Sequence, residues 1–295
     1  MNFAKEIYKK QYKRLILITL TIVVLSIVQI AYQYSATGEF INRGISLKGG
    51  TSLSVFVTEE FNLDEIQTAL ISGFPDHEFE IKSIKSTQYP FAFIVESTLE
   101  ADDSERLLNT VKGITGPLAN EDYSLEVIGP TLGEGFFRQV LVALAFAFLL
   151  MALVVWFHFK APVPSLAVVL SAFTDIVVTV AIVNLMGIRI SSAGIAAFLM
   201  LIGYSVDTDI LLATRLLKKK GEDVFTRLIG AMKTGLTMSF TSLGAVIIAL
   251  VVSNSLVIQQ IMQILLIGLI VDLFSTWIQN AGILRMYAEK NEKKG

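Results

Sequence analysis

SSAGIAAFLMLIGYSVDTDILL, residues 191–212, is long and apolar enough to cross a membrane, yet it carries Tyr204, Ser205, Asp207, Thr208 and Asp209. About 20 mainly apolar residues span the hydrocarbon of a bilayer as a helix. An ionised side chain at that depth costs at least about 2.5 kcal/mol. Two carboxylates within three residues therefore call for protons, a cation or a wetted cavity. Each of these outcomes means that ions or protons are handled inside the membrane.

Working outward, five further stretches reach spanning length: Leu15–Tyr34, Phe136–Phe157, Val163–Met186, Leu228–Val252 and Leu256–Leu284. The 295 residues are 53% hydrophobic and 17% charged, with a mean hydropathy of +0.63, which indicates an integral membrane protein. The first span has no small-residue cleavage pattern after it and reads as a retained helix. Trp156 and Phe157 on the second span, and Trp277 and Tyr287 on the last, fit interface aromatics. A net charge of -2 gives no basic field for nucleic acid. The absence of cysteine excludes disulfides, thiolate metal sites and cysteine nucleophiles. His77 and His158 are the two histidines. One reads as a solvated loop residue and the other as an interfacial one, so no metal site or cofactor is expected.

Between the first two spans lies a polar insertion. Ser52–Val57 alternates as a strand, and Asn62 with Glu65 resembles a capping box opening a helix to Gly73. Phe79–Ile84 and Phe91–Glu96 read as paired strands around a Tyr89–Pro90 break. Ser97 and Glu100 open a second helix ending near Gly113, and Tyr123–Ile128 is the last strand. The order βαββαβ is the ferredoxin-like, split βαβ arrangement. The expected fold is thus a six-helix polytopic membrane protein with an α+β ferredoxin-like domain inserted between helices 1 and 2. Its expected parts are residues 1–37, an N-terminus and first helix; 38–133, the inserted domain; 134–286, helices 2–6; and 287–295, a tail.

Lys5, Lys9, Lys10, Lys13 and Arg14 flank the first span. Arg215, Lys218, Lys219, Lys220 and Arg227 lie between spans four and five, and Arg285, Lys290, Lys293 and Lys294 mark the end. The two short opposite loops offer only Arg189. The positive-inside rule places both termini in the cytoplasm and the inserted domain outside the cell membrane.

Asp207 and Asp209 lie about 200° apart around a helix, so they occupy different faces. Tyr204 shares a face with Asp207, and Ser205 shares one with Asp209. At about 1.5 Å per residue, Asp209 sits about 13 Å from the cytoplasmic end of its span and Lys233 about 8 Å deep in the next. The lysine stem is long enough for an Asp209–Lys233 pair, and snorkelling of Lys233 to the surface is the alternative. A helix broken at Gly203 and capped by the two aspartates is a weaker reading. Asp175 on span three and Asp272 on span six are further relay candidates, and Asp272 could equally pair with Lys233 or another subunit. Thr234, Thr237, Ser239, Thr241 and Ser242 on span five favour close packing over an ion path. Lys48-Gly49-Gly50 lacks the spacing of a phosphate loop and reads as a turn or hinge where the domain meets the membrane.

GISLKGGTSL after a first span, the inserted domain, five further spans and GYSVDTD in the fourth together resemble the SecF branch of the SecD/SecF family. The resemblance covers essentially the whole chain. It implies membership of the resistance-nodulation-division superfamily and partnership with SecD and a SecYEG-type channel. It further implies a role in drawing out or retaining the translocating polypeptide at the expense of a proton, sometimes sodium, gradient. The bacterial pattern reads GYSxNDT. Here Asp207 takes the Asn position, Thr208 the Asp position and Asp209 the Thr position, and Lys233 replaces an arginine early in span five. These departures resemble the archaeal branch.

The expected function is a non-enzymatic accessory of Sec protein export, in which a proton or cation at Asp207, Asp209 and Lys233 shifts the outer domain. A purely structural partner of SecD and a small-molecule or lipid exporter are the alternatives. The exporter is disfavoured by the single six-span half and small domain. An intramembrane aspartyl protease pairing Asp175 with Asp207 would need a GxGD-type motif that the chain lacks.

Overall fold

Hydrophobic period divides the chain into long apolar helices and a short stretch of alternating strands. The computed structural model describes residues 2–59, 61–77, 79–84, 91–218, 222–253 and 255–292, without the side chains of 2–10, 82, 84, 218 and 256. Tyr89–Pro90, Lys219, Lys220, Lys293 and Lys294 fall outside the described residues, as do the side chains of Lys5, Lys9, Lys10 and Lys218.

Helix α1 (Asn2–Thr37) leads through a short α2 (Ile45–Lys48) into β1 (Gly50–Val57). Then follow α3 (Leu63–Gly73), β2 (Phe79–Ile84), β3 (Phe91–Ser97), α4 (Ala101–Thr115) and β4 (Tyr123–Ile128). The bundle continues with α5 (Pro130–Phe159), α6 (Pro162–Leu185), α7 (Ser192–Lys218) and α8 (Val224–Val252). It closes with α9 (Leu256–Phe274), a π-helical turn (Ser275–Asn280) and α10 (Ala281–Glu292), which together form the sixth span. Among the described residues, six helices are long and apolar enough to cross a membrane.

The four strands form one antiparallel sheet in the order β2-β3-β1-β4. Alternation sends Leu53, Val55, Phe93 and Val95 to the face covered by α3 and α4, where they are fully buried with Ile66, Leu70, Leu107 and Val111. Asn62 caps α3, but its side chain accepts from the Asp64 N–H at 3.0 Å, in place of the box expected with Glu65. Ser97 does not open α4: it ends β3, and its hydroxyl accepts from the Leu99 N–H at 3.3 Å. Glu100 is the N-cap, without a side-chain cap bond, and α4 runs on to Thr115.

The linker leaving α1 is stitched to the turn between α6 and α7. The Asn184 amide donates to Phe40 O at 3.0 Å, Ile190 N to Asn42 O at 2.7 Å, and Gly44 N to Ile190 O at 2.9 Å. Ser192 N, one of the donors that a helix leaves unpaired at its start, finds Ser46 Oγ at 3.0 Å. Gln260 of α9 donates to Arg189 O at 2.5 Å, and Arg189 forms an ion pair with Glu80 on β2. The sheet domain, the linker and the ends of α7 and α9 thus share one network.

Glu39 sits in this strap, 2.8 Å from Arg43 and 3.0 Å from Lys48. Burial pushes its carboxyl upward, but hydrogen bonds from Arg43 and Lys48 outweigh burial and hold it below the usual glutamate range. A depressed folded value gives stability that is full above the ordinary value and lost as pH falls through the lowered one. Hydrogen-exchange protection of residues 39–48 is expected to hold from neutral pH to the ordinary glutamate range and to fall in stronger acid. Glu39→Gln should lower protection at neutral pH and remove the acid step.

Candidate functional site: a buried carboxylate cluster

Helix α7 is continuous through Gly203, so Gly203 breaks nothing and the aspartates cap no break. Continuity fixes the 100° step per residue. Ser205, Thr208 and Asp209 therefore face inward and are buried, while Gly203, Tyr204 and Asp207 face outward and are exposed. The irregularity lies on the sixth span, where α9 passes into the π-helical turn. An added residue per turn of this kind is rare and turns side chains out of their ordinary register.

That turn meets α6 and α7. Asp175 on α6 and Asp209 on α7 are 1% and 0% exposed, and Asp272 on α9 is 1% exposed. The Ser205 hydroxyl donates to Asp175 Oδ2 at 2.6 Å, and the Ser275 hydroxyl donates to Asp175 Oδ1. Asn280 donates to Asp209 Oδ1 at 2.7 Å. Thr276 Oγ1 lies 2.9 Å from Asp209 Oδ1 and 3.0 Å from Asp272 Oδ1, and Thr208 Oγ1 is 3.4 Å from Asp272 Oδ2. Deeper along α6, Gln279 donates to Thr174 Oγ1 at 3.0 Å. Ser171 approaches Asp209, yet its hydroxyl and Asp209 Oδ2 remain outside hydrogen-bonding geometry.

A hydroxyl owns one proton, so Thr276 can donate to only one of its two carboxylates at a time. A second bond requires a carboxyl that is itself protonated and donates to Thr276. Among the described residues no cation pairs with Asp175, Asp209 or Asp272. Uncompensated charges are among the most expensive groups to bury. The geometry therefore suits a site that holds protons or admits a cation and passes them between helices. Among the described residues no three His, Asp or Glu side chains stand close enough to share a metal ion.

Of the residues expected from sequence, the structure brings Asp175, Asp209 and Asp272 together. Asp207, Tyr204 and Lys233 stand apart on the exposed outer faces of α7 and α8. The expected Asp209–Lys233 pair is not formed: α7 turns Asp209 inward, and α8 turns Lys233 outward. Of the span-five hydroxyls, Thr237 and Thr241 bond back to their own helix at 2.9 and 2.8 Å and take no part in the cluster. Trp277, expected at an interface, is 2% exposed and packs against Gly235 of α8. Ser275, Thr276, Gln279 and Asn280 escape the sequence reading, which draws only Asp272 from this face. The signal is there: Asp272, Ser275, Thr276, Gln279 and Asn280 recur at i, i+3, i+4, i+7 and i+8, one polar helical face that follows the apolar run Ile264–Val271.

Lys48-Gly49-Gly50, expected as a hinge, sits in a close crossing with the start of α5. A Cβ on Gly49, whose φ is +87°, would lie 2.5 Å from Pro130 Cα, and one on Gly133 would lie 2.5 Å from Gly49 N. The junction is packed backbone to backbone.

Residues 109–290 match the family described as "Protein export membrane protein SecD/SecF, C-terminal". The chain belongs to the SecD/SecF family. It is 38% identical over 288 residues to the protein-export membrane protein SecF of Pyrococcus furiosus, covering 96% of this chain and 93% of that relative. It is 35% identical to SecF of Methanocaldococcus jannaschii, with 97% and 99% covered, and 33% identical to that of Haloferax volcanii, with 93% and 92% covered. Among solved structures, the fold is similar to SecDF of Thermus thermophilus, described as a translocon-associated membrane protein. The TM-score is 0.75 at 22% identity, over 95% of this chain. This chain spans 38% of that one, a little more than a third of its length. Family membership makes this a SecF-type membrane protein of protein export.

Proposed function

We propose that the chain is the SecF half of a SecD–SecF export accessory in the cell membrane, and that the Asp175–Asp209–Asp272 cluster couples a proton or cation gradient to movement of the inserted domain. The observation that carries this reading is the meeting of three buried carboxylates from three helices on one π-helical turn, with no cation paired to them among the described residues. Loading or emptying this site changes which hydroxyl bonds which carboxylate, and so shifts α6, α7 and α9 against one another. The strap from Asn184 and Ile190 to residues 40–46, with Arg189 on Glu80, offers a mechanical route from those helices to the sheet.

In this reading residues 38–133 are a ferredoxin-like domain outside the membrane, and both termini are cytoplasmic, as the lysine and arginine distribution suggests. The function is non-enzymatic. The channel is of SecYEG type, and the cargo is the polypeptide late in translocation. The exposed Tyr204, Asp207 and Lys233 lie on spanning helices, where lipid solvates charge poorly. The SecD half is the cover proposed for that face, and Lys48, Gly49 and Gly50 the packed junction between domain and membrane.

The test replaces Asp175, Asp209 and Asp272 singly by Asn in cells that supply SecD, and follows both export and complex assembly. Export is expected to fall to the level of cells lacking the chain for at least Asp209→Asn, with assembly intact. Full export in all three variants would sink the coupling role. Loss of assembly together with export would favour the purely structural reading, which rests on the same bonds tying α6, α7 and the sixth span together.

A further inference from the structure

Helices α1 and α5 carry the chain into and out of the sheet domain. Both pack on α6 while scarcely touching each other. The cleft left between them near the sheet domain has a volume of about 210 Å³ and a wholly apolar wall. Ile30 of α1, Leu144 of α5 and Val180 of α6 line it. Phe40 and Phe137 close one end, with ring centroids 5.8 Å apart.

Water has no hydrogen-bond partner in such a slot. An apolar cavity of about 150 Å³ stays dry and takes up benzene instead. Left empty, the slot forfeits dispersion contacts along every wall. In a bilayer the filler at hand is a lipid tail, which is as apolar as leucine. The rim adds a polar requirement. The Arg43 guanidinium lies 4.9 Å from the centroid of the Phe137 ring, and Lys48 reaches the same Glu39 that Arg43 pairs with. One carboxylate thus faces two cations, while exposed Arg138 beside Phe137 is offset by exposed Glu134 one helical turn before it. An apolar slot under a net positive rim matches a tail joined to a phosphate.

We propose that this cleft binds one membrane phospholipid, with a hydrocarbon tail between α1 and α5 and its phosphate at the Arg43 rim. The lipid would fill the gap between the two helices that connect the bundle to the sheet domain.

Native mass spectrometry of the full chain, purified in detergent and titrated with dioleoylphosphatidylglycerol, tests it. One lipid is expected to survive collisional activation beyond the rest. It should also survive in Val154→Phe, altered on the exposed side of α5, where Val154 is 61% exposed. Val180→Phe fills the slot and should weaken retention at least ten-fold. Leu144→Phe, from the opposite wall, replaces it if melting by circular dichroism shows Val180→Phe to be misfolded. Equal retention in a folded filler variant would overturn the proposal. Equal retention of dioleoylglycerol, which has no phosphate, would overturn the headgroup assignment. Release of the retained lipid on assembly with SecD would give the cleft to a partner helix and likewise overturn it.

Discussion

Thr276→Val is expected to disable the carboxylate cluster while keeping the shape of the side chain. Thr276 Oγ1 lies within hydrogen-bond distance of both Asp209 Oδ1 and Asp272 Oδ1, at 2.9 and 3.0 Å. Asp209 Oδ1 would keep its bond from Asn280 at 2.7 Å. Asp272 Oδ1 would lose its 3.0 Å bond, leaving Thr208 at 3.4 Å from Oδ2 and Ser205 and Asp175 as the neighbours of its carboxyl. A buried polar group left without its partner costs about 1–3 kcal/mol, and more when charged. The expected result is a stability loss of about 2–3 kcal/mol, read as a lower thermal midpoint of the purified complex. Export should fall close to that of cells without the chain. Thr276→Ser keeps the hydroxyl and should restore most of both. Thr237→Val, on the exposed face of α8, removes only a bond back to Lys233 O and should change either by little. Equal export by Thr276→Val and wild type would remove Thr276 from the relay.

Gly49→Ala should be as damaging by a different route. The added Cβ would lie 2.5 Å from Pro130 Cα and 2.6 Å from Pro130 N, which are backbone atoms that cannot rotate aside. The φ of +87° adds strain for any L side chain. Overpacking of this kind costs about 1–3 kcal/mol, and the backbone conformation about 1–3 kcal/mol more. The junction between β1 and α5 would have to open. Protease nicking near residues 44–50 should accelerate, and the thermal midpoint should fall by more than for Gly135→Ala, where an added Cβ meets nothing within 4 Å. Similar midpoints for the two variants would mean that the crossing relaxes without cost, and would restore the reading of these glycines as a free hinge.

Much of the fold is legible from residue pattern because the membrane and the sheet impose strict rules. Spanning helices demand long apolar runs, and all six appear as such. Strands covered on one face demand alternation: Phe79–Ile84 and Tyr123–Ile128 are read to the residue, and β1 begins two residues earlier than expected. The start of α4 is misread because Ser97 looks like a cap. A serine hydroxyl serves a strand end as readily as a helix start, and long-range pairing of β3 with β1 decides between them.

The cluster is legible only in part. Helical spacing alone separates Asp209 from Asp207 and groups it with Ser205, as burial then shows. Depth counting matches Asp209 with Lys233 in height but is blind to rotation about each helix axis, and rotation is what parts them. The sequence by itself determined the six spans, the alternating domain and the presence of carboxylates at membrane depth, since each follows from local period and the cost of burying charge. Only the tertiary structure decided that Asp175, Asp209 and Asp272 meet on Ser275–Asn280 while Asp207 and Lys233 face outward. Which faces of separate helices come together is set by packing across the bundle and by the π-helical turn, and neither is encoded in the period of a single segment.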